Sequence, residues 1–442
     1  MLHLHDLLDV LVERLKRDKL LKFYDGDRGL LPLWPRVSSL YPHPSAAFGD
    51  LVDDVQLPGL HVDRKGLEAA IQEKDAALTH HTKRLLKLLK TPGINLNSWM
   101  QVLKAFRNLD IELSNVQRET LEDRAGFTLE EIENEVPKAL EGMKAHPELA
   151  AYMQFKSLTK ELQYMKKYDE LSRKTGRIHG VLKGEPLRSG RMSSQNPSLQ
   201  QVPRSMRHLF VAPKGEVMVV VDLNQVELRV MAVVARDSAM IKAFREGKDL
   251  HLMTAMSMMG KDDPEEARPM RKAAKAVNFG MLFGMGAEGL QDYAKKKYGV
   301  EMTLYEASRY RNQILKQFYG VRDFLKRLRQ ERKRVAYSLQ GRRKYIPERG
   351  IVTEGANQPV QGTCADALRE SLAVLSKRLP EGARIGAAVH DELLVFCKPE
   401  QAEAVLEHTK QALIEPLQAL SDEVPFEAEG GFGPSWAKAK PG

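Results

Sequence analysis

The chain has 442 residues, and its 68 lysines and arginines against 59 aspartates and glutamates give a formal net charge of +9. That length accommodates two to four structural units with a substantial core. The two cysteines argue against a disulfide framework and favour a reducing, cytoplasmic compartment, and without an apolar run of about 18 residues no membrane span is expected. The dispersed basic excess favours a polyanionic partner, although any single basic run is equally well explained as a solvated helix face.

Periodicity and composition predict the following elements, in chain order: an amphipathic helix over 5–23, a proline-rich linker to about 50, charged helices over 64–175, a strand at 217–221, helices over 238–340, a strand over 383–396 and a helix over 401–420. This order of helices, a strand, helices and a second strand predicts an α+β chain whose two strands flank a large helical insertion.

Acidic residues occur where the two predicted strands are otherwise apolar. Asp222 ends the first strand, and Asp391 and Glu392 interrupt the second. A buried carboxylate costs several kcal/mol without a partner, and adjacent carboxylates repel each other. If the strands pair in one sheet, a divalent cation, magnesium in particular, would supply the missing countercharge. Unrelated strand-end acids that serve turns or helix caps remain the alternative.

The predicted helix between these strands carries two cations and an aromatic ring on one face. Arg271, Lys275 and Phe279 follow each other at i+4 spacing and fall within about 80° of arc. Such cations are suited to a triphosphate, and such a ring to a sugar or base. Gly280 and Gly284 each cost a helix about 1 kcal/mol, which predicts that something large approaches the backbone there.

Three ordered segments carry a family resemblance. "DLNQVELR" (222–229), "RKAAKAVNFGMLFG" (271–284) and "VHDE" (389–392) resemble motifs A, B and C of family A DNA polymerases, the DNA polymerase I type. "SGRMSSQNPSLQQVP", "DLHLMTAM", "NQPVQGTCAD" and "GGFGPSW" resemble further segments of that family. The resemblance covers roughly residues 51–442.

This resemblance implies an α+β right-hand polymerase fold with an antiparallel palm sheet, helical fingers and a helical thumb. The implied divisions are an N-terminal extension of unknown role (1–50), thumb and N-terminal helical region (51–180), first part of the palm (181–235), fingers (236–345) and second part of the palm (346–442).

The resemblance also implies roles for individual residues. Asp222 and Asp391 would hold two Mg²⁺ ions, or Mn²⁺ ions in their place, with the backbone carbonyl of Leu223 as a further ligand. Lys275 and Glu392 would complete the catalytic set, Glu392 as a supporting acid. The implied nucleotide-binding residues are Gln225, Glu227, His251, Arg271, Lys275 and Phe279, and the implied primer-template contacts are Arg191, Phe283, Asn357, Gln361 and His390.

The sequence departs from the family pattern at three positions. Leu223 stands where an aromatic residue is usual, but the implied ligand there is a carbonyl, so chemistry should survive. Asn224 replaces a common serine. Phe283 replaces a tyrosine whose hydroxyl would hold Glu227, so we expect Glu227 to be a looser gate against ribonucleotides.

The implied function is template-directed addition of deoxynucleotides from dNTPs to the 3′ end of primer-template DNA. Only about 50 residues precede the matching region, so we expect no 3′–5′ exonuclease domain and no proofreading. A single-subunit RNA polymerase or primer-making enzyme is the first alternative, against which Glu227 and the "HDE" triplet argue. A non-catalytic nucleic-acid-binding scaffold is the second, and it would predict loss of one or more of the charged motif residues.

Overall fold

The computed structural model describes residues 58–133, 137–183 and 190–439. The predicted N-terminal helix and the proline-rich linker lie outside these ranges. The described chain divides into two compact units, one formed by His61–Ile178 and the other by the remaining described residues. No described helix is both long and apolar enough to cross a membrane.

The His61–Ile178 unit is helical, as its charged amphipathic sequence predicts. Its elements are strand β1 (Leu60–Val62), helices α1 (Arg64–Leu88), α2 (Trp99–Arg107), α3 (Arg118–Ala125), α4 (Leu129–Glu133), α5 (Pro137–Ala145) and α6 (Pro147–Ser172), and strand β2 (Arg177–Ile178). The Asp63 carboxylate caps α1 by accepting a hydrogen bond from the Gly66 amide. The two long helices α1 and α6 pack against each other, with Lys74 and Glu161 paired at 2.7 Å.

The second unit combines short sheets with many helices. Its strands are β3 (Val181–Lys183), β4 (Ser193–Gln195), β5 (Phe210–Val211), β6 (Val217–Leu223), β7 (Val335–Tyr337), β8 (Arg343–Tyr345), β9 (Arg384–Val389), β10 (Glu392–Cys397) and β11 (Ala428–Gly433). Its helices are α7 (Val226–Ala235), α8 (Ser238–Arg245), α9 (Leu250–Met259), α10 (Pro264–Ala267), α11 (Arg271–Leu282), α12 (Ala287–Tyr298), α13 (Leu304–Gln317), α14 (Tyr319–Glu331), α15 (Ile351–Asn357), α16 (Thr363–Arg378), α17 (Ala402–Gln418) and α18 (Trp436–Ala439).

A four-stranded antiparallel sheet forms the centre of this unit, in the order β11-β6-β10-β9. The side chains of β6 and β10 are almost all buried, which explains their continuous apolar sequence. Helix α17 packs against β6 and β11, and α16 packs against α17. The two acid-bearing segments are therefore paired in one sheet, the condition under which their carboxylates come close together.

The second predicted strand is in fact a hairpin. Strands β9 and β10 pair with each other, Val389 opposite Glu392, so His390 and Asp391 form a two-residue turn. His390 has φ +59°, a left-handed conformation that non-glycine residues seldom adopt. The sequence lacks the glycine or asparagine that usually marks such a turn, and both flanks are apolar because both strands are buried. A single strand was the wrong interpretation.

The helical insertion also differs from its prediction at one end. Helices run from Ser238 to Glu331 with short connections, as expected. The β7–β8 hairpin then occupies 335–345, where the sequence predicted helix up to 340. Its strands are three residues long, too short for a period-2 pattern to be distinguished from a charged helix.

Candidate active site

The register of the sheet brings the two aspartates together. Asp222 lies near the end of β6, directly opposite Glu392 at the start of β10. Asp391, in the turn before Glu392, accepts a hydrogen bond at its carbonyl from the Leu223 amide at 3.4 Å. The end of β6 and the β9–β10 turn are thus held together by backbone contacts, and the carboxylates share one electrostatic environment.

That environment disfavours ionisation of Asp391. Burial, and secondly the charge of Asp222, raise the pKa of Asp391 to about 7, although Arg191 acts in the opposite direction. Lys275 is affected by charges of both signs. Burial, and then the charges of Arg271 and Arg204, lower its pKa, while the charges of Asp391 and Asp222 act to raise it. The Lys275 ammonium therefore lies within electrostatic reach of both carboxylates.

The donor set fits a hard divalent cation. Two carboxylates and the backbone carbonyl of Leu223 offer oxygen only, and Mg²⁺ binds through one or two carboxylates, with waters and substrate phosphates completing its shell. Within the described ranges, no group of three or more His, Cys, Asp or Glu side chains is arranged to hold a metal ion. A two-carboxylate site needs no such group, and a cation there would remove the repulsion that raises the pKa of Asp391.

The pKa of Asp391 leads to a stability prediction. Between about pH 4 and pH 7, Asp391 keeps its proton in the folded protein. In the unfolded chain, where an aspartate has a pKa of about 3.9, the same group has already released it. Without divalent metal, this group's contribution to the free energy of unfolding therefore falls as pH rises from about 4 to 7 and stays low above that. Asp391→Asn removes the effect and should raise the free energy of unfolding at pH 8 by about 1 kcal/mol or more.

Urea denaturation of both proteins in EDTA at pH 5 and pH 8 measures this difference. The gain should be larger at pH 8 than at pH 5, and Asp422→Asn, a change in an exposed loop residue, should show no such dependence. A variant no more stable than the parent at pH 8 would show that Asp391 ionises without penalty.

Glu392 is held by residues that the sequence analysis did not single out. Its carboxylate accepts a hydrogen bond from Trp436 Nε1 at 2.6 Å and pairs with Arg207 at 3.3 Å. The Arg207 guanidinium lies over the Trp436 ring, 4.2 Å from its centroid. Glu392 is thus held at the start of β10 by two side chains from other segments, and its implied role as a supporting acid stays a prediction. The "GGFGPSW" segment was the only sequence signal for Trp436.

Helix α11 presents the predicted cationic face. It begins at Arg271 and ends at Leu282, and Gly284 follows with φ +62°, a conformation that terminates the helix at little cost. A Cβ on Gly280 would lie 2.6 Å from a methyl of Leu290. The close approach predicted at these glycines is therefore made at Gly280 by the next helix of the protein itself.

Two side chains, Asp249 before α11 and Asn278 within it, orient the neighbouring polar residues Arg271 and His251. Arg271 Nε donates to Asp249 Oδ2 at 2.7 Å, and the Asp249 carboxylate also caps α9. Asn278 accepts from Thr254 at its amide oxygen, so its amide nitrogen donates to His251 Nδ1 at 3.0 Å. His251 is consequently the neutral tautomer with hydrogen on Nε2. Sequence reasoning missed both Asp249 and Asn278.

His251 is neutral for a second reason. It is buried, and burial, with smaller contributions from Arg271 and Lys275, lowers its pKa to about 4 despite Asp249. At neutral pH it offers an anion a neutral N–H donor, in contrast to the charged Arg271 and Lys275.

An aromatic row continues from this histidine. The His251 and Phe279 rings are 6.0 Å apart, Phe279 and Phe283 stack at 6.3 Å, and Phe283 meets Tyr293 edge-on at 6.3 Å. Phe279 is only partly buried, so its ring borders the open side of α11 beside Lys275.

Glu227 is better held than its sequence context suggested. One carboxylate oxygen accepts hydrogen bonds from Arg191, in a very short ion pair, and from Gln361 Nε2 at 3.3 Å. These two restraints on Glu227 do not depend on residue 283, and the expected looser gate against ribonucleotides stays a prediction. The sequence did not reveal these restraints because Arg191 and Gln361 come from distant segments.

The remaining candidate residues lie on the same unit. Gln225 immediately precedes α7 with φ +50°, its side chain makes no capping hydrogen bond, and its buried amide oxygen has no hydrogen-bond partner in the described part of the chain. The same holds for the amide oxygen of Asn357, at the end of α15. A π-helical turn, Gln358–Gly362, follows Asn357 and carries Gln361; such turns are frequent at functional sites. Partial burial and nearby cations, Arg191 first, lower the pKa of His390.

Comparisons with known proteins agree with this geometry. The family model "DNA polymerase family A" matches residues 64–438. DNA polymerase I of Aquifex aeolicus is 35% identical over 272 residues, 60% of this chain and 47% of that protein. The thermostable DNA polymerase I of Thermus thermophilus is 33% identical over 454 residues, 98% of this chain and 51% of that protein. The chain spans about half the length of these relatives.

A solved structure supports the fold. The polymerase domain of Pol1 from M. smegmatis, in complex with DNA primer-template and dNTP, superposes with a TM-score of 0.76 at 25% identity, covering 92% of this chain and 72% of that one. The α+β right-hand fold with an antiparallel palm sheet is thereby confirmed. Family A polymerases use divalent metal ions, which agrees with the oxygen donors at Asp222 and Asp391. The chain belongs to DNA polymerase family A.

Proposed function

We propose that this chain is a template-directed DNA polymerase that adds deoxynucleotides from dNTPs to a primer 3′ end. The observation that carries the proposal is the pair of aspartates, Asp222 and Asp391, which two β-strands hold together within reach of the Lys275 charge. Family membership and the named relatives support it. In this proposal the thumb and N-terminal helical region is 51–180, the palm is 181–235 with 346–442, and the fingers are 236–345.

The metal ions of the proposal are Mg²⁺, with Mn²⁺ as a substitute. The carboxylates of Asp222 and Asp391 and the carbonyl of Leu223 would hold them. When bound, such ions lower the pKa of a primer 3′-hydroxyl and neutralise charge on the triphosphate and the leaving pyrophosphate.

The residues of α11 would bind the triphosphate. Lys275 and Arg271 bring two positive charges to one helix face, and Arg271 would exchange its Asp249 partner for a phosphate. His251 would add a neutral N–H donor, while Gln225 contributes an amide near the same position. Because Asp249 holds Arg271 until substrate arrives, the site avoids an unpaired guanidinium between cycles.

Primer and template would be bound by groups that now hold Glu227. Arg191 and Gln361 donate to its carboxylate in this structure, and both have donors suited to the acceptors that every base pair presents in the minor groove. Asn357 and His390 would make similar contacts, and Phe283 would flank them. Once Arg191 and Gln361 turn to DNA, Glu227 is released to lie beneath the sugar and exclude a 2′-hydroxyl.

Primer extension tests the proposal. A labelled primer on a DNA template should be extended with Mg²⁺ and dNTPs, far more slowly with rNTPs, and not shortened when nucleotides are omitted. Efficient use of rNTPs would favour an RNA polymerase or primer-making enzyme. Tight binding without extension would favour a non-catalytic scaffold. Release of 3′ mononucleotides would reveal a nuclease site in this chain. The two free cysteines, Cys364 and Cys397, suit work in a reducing compartment.

Phe283→Tyr is expected to tighten rejection of ribonucleotides. A hydroxyl at residue 283 would offer Glu227 a replacement for Arg191 and Gln361 when these contact DNA. One net hydrogen bond of about 0.5–1.5 kcal/mol corresponds to about 2- to 12-fold in the ratio of kcat/KM for dNTP and rNTP. Steady-state kinetics on both proteins measures that ratio, with Tyr293→Phe, a hydroxyl change on a ring that contacts Phe283, as control. An unchanged ratio would show that the gate does not depend on residue 283.

A further inference from the structure

A buried charge cluster lies behind Arg191. Asp366 accepts hydrogen bonds at one oxygen from Arg342, in a very short contact, and from Arg369 Nη1 at 3.3 Å. Its other oxygen accepts from the Ser338 hydroxyl at 2.6 Å. Arg369 in turn donates through Nη2 to the carbonyl of Gly190, the residue immediately before Arg191. The cluster therefore ends on the backbone that carries the Arg191 side chain.

These groups are far less exposed than charged residues usually are. Asp366 is 8% exposed and Arg369 is 3% exposed. Desolvating an isolated ion costs several kcal/mol, and only close pairing with further hydrogen bonds offsets that cost. Breaking one such contact leaves the others with uncompensated charge, so the cluster has essentially one low-energy arrangement.

Gly190 is fitted to this cluster. It has φ +80°, and a Cβ at this position would lie 2.7 Å from a guanidinium nitrogen of Arg342. Glycine is required here both by the left-handed backbone and by the close approach of the arginine. The direction in which the chain leaves Gly190, and with it the starting point of Arg191, is thereby fixed.

The turn that leads into α16 carries the second partner of Glu227, Gln361. Asp366 and Arg369 belong to α16, which follows directly on the π-helical turn that contains Gln361. The Leu339 amide donates to Thr363 Oγ1 at 2.8 Å at the start of α16, so the loop before β8 is tied to it as well. Helix α16 thus holds the backbone next to Arg191 and directly follows the turn that carries Gln361. One rigid element therefore positions both residues, although they are far apart in sequence.

We propose that Asp366 and Arg369 are positioning residues that hold the backbone of Arg191, and so set its reach toward the minor groove at the primer terminus. This inference rests on the proposed function of Arg191. Neither residue would touch DNA: Arg369 acts through the Gly190 carbonyl, and Asp366 acts by holding Arg369.

A modified primer separates this role from a general loss of structure. Its terminal guanine carries carbon in place of N3, which removes the minor-groove acceptor but leaves base pairing intact. The wild-type protein should extend it about 10- to 100-fold less efficiently than the normal primer, and Arg191→Met should show little such penalty. Arg369→Met should reduce the penalty to about 3-fold or less, and Asp366→Asn should give an intermediate value. Arg378→Met, a change at the far end of α16 that breaks an exposed pair with Glu415 of α17, should retain the full penalty.

The outcomes distinguish a failure of the positioning role from a failure of the proposed minor-groove role of Arg191. If Arg369→Met and Asp366→Asn extend primers more slowly but lose as much efficiency on the modified primer as the wild type does, the two residues are merely structural. The positioning role is then overturned, while the minor-groove role of Arg191 stands. If the wild type shows no penalty, the minor-groove role of Arg191 fails and this inference fails with it. Because Arg369 is buried, thermal denaturation should accompany each measurement. Should Arg369→Met fail to fold, Asp366→Asn, which preserves size and shape, decides the question.

Discussion

Asp222→Ala or Asp391→Ala is expected to reduce primer extension by about 10³-fold or more while leaving primer-template binding nearly unchanged. Each carboxylate would supply a direct metal contact, and loss of about 4 kcal/mol of transition-state stabilisation corresponds to 10³-fold in rate. Binding should persist because the distributed basic surface, with its formal net charge of +9, supplies most of the affinity for phosphates.

Single-turnover extension and a fluorescence binding titration on the same preparations test this expectation. Asp422→Ala, in an exposed loop, is the matched control and should extend primers normally. The stability measurement on Asp391→Asn adds an independent readout, since a residue retained for function alone should cost stability in the free protein. Extension within about tenfold of the parent by either alanine variant would contradict the two-carboxylate assignment.

Phe279→Tyr is expected to erase most discrimination against dideoxynucleotides. In the proposed site this ring lies near the 3′ side of the sugar, on the face of α11 that carries Arg271 and Lys275. A dNTP has a 3′-hydroxyl that satisfies its polar surroundings, whereas a ddNTP leaves them unpaired beside a phenyl ring. That penalty is about 1–3 kcal/mol, or about 5- to 150-fold in rate, and a tyrosine hydroxyl would relieve it.

The ratio of kcat/KM for dTTP and ddTTP in both proteins is the relevant quantity. Phe279→Leu changes the ring without adding a hydroxyl and should keep the discrimination, and Phe283→Tyr adds a hydroxyl one helical turn away and should also keep it. If the unmodified protein uses dTTP and ddTTP equally well, Phe279 does not lie beside the sugar.

Sequence reasoning predicted the parts of the site that depend on local pattern. The apolar run that ends in Asp222 indicated a buried strand, and the i+4 spacing of Arg271, Lys275 and Phe279 indicated one helix face; the structure has both. The turn at His390 was missed because its left-handed backbone is stabilised by two buried strands rather than by a residue that favours it.

Partners from distant segments were beyond the reach of the sequence. Nothing near Glu227 indicates that Arg191 and Gln361 bind it, and nothing near Glu392 indicates Trp436. Asp249 caps α9, and its second role as the partner of Arg271 appears only when α9 and α11 pack together. Such long-range pairings are set by tertiary packing, which local propensity does not encode.

Single-nucleotide insertion opposite each of the four template bases is the decisive test of a template-directed polymerase. We expect that, with Mg²⁺, each template base directs rapid addition of its complementary dNTP alone, that EDTA stops the reaction, and that Asp222→Ala and Asp391→Ala abolish it for all four bases. Addition that ignores the template base, or that continues in the alanine variants, would contradict a template-directed polymerase built on these two carboxylates.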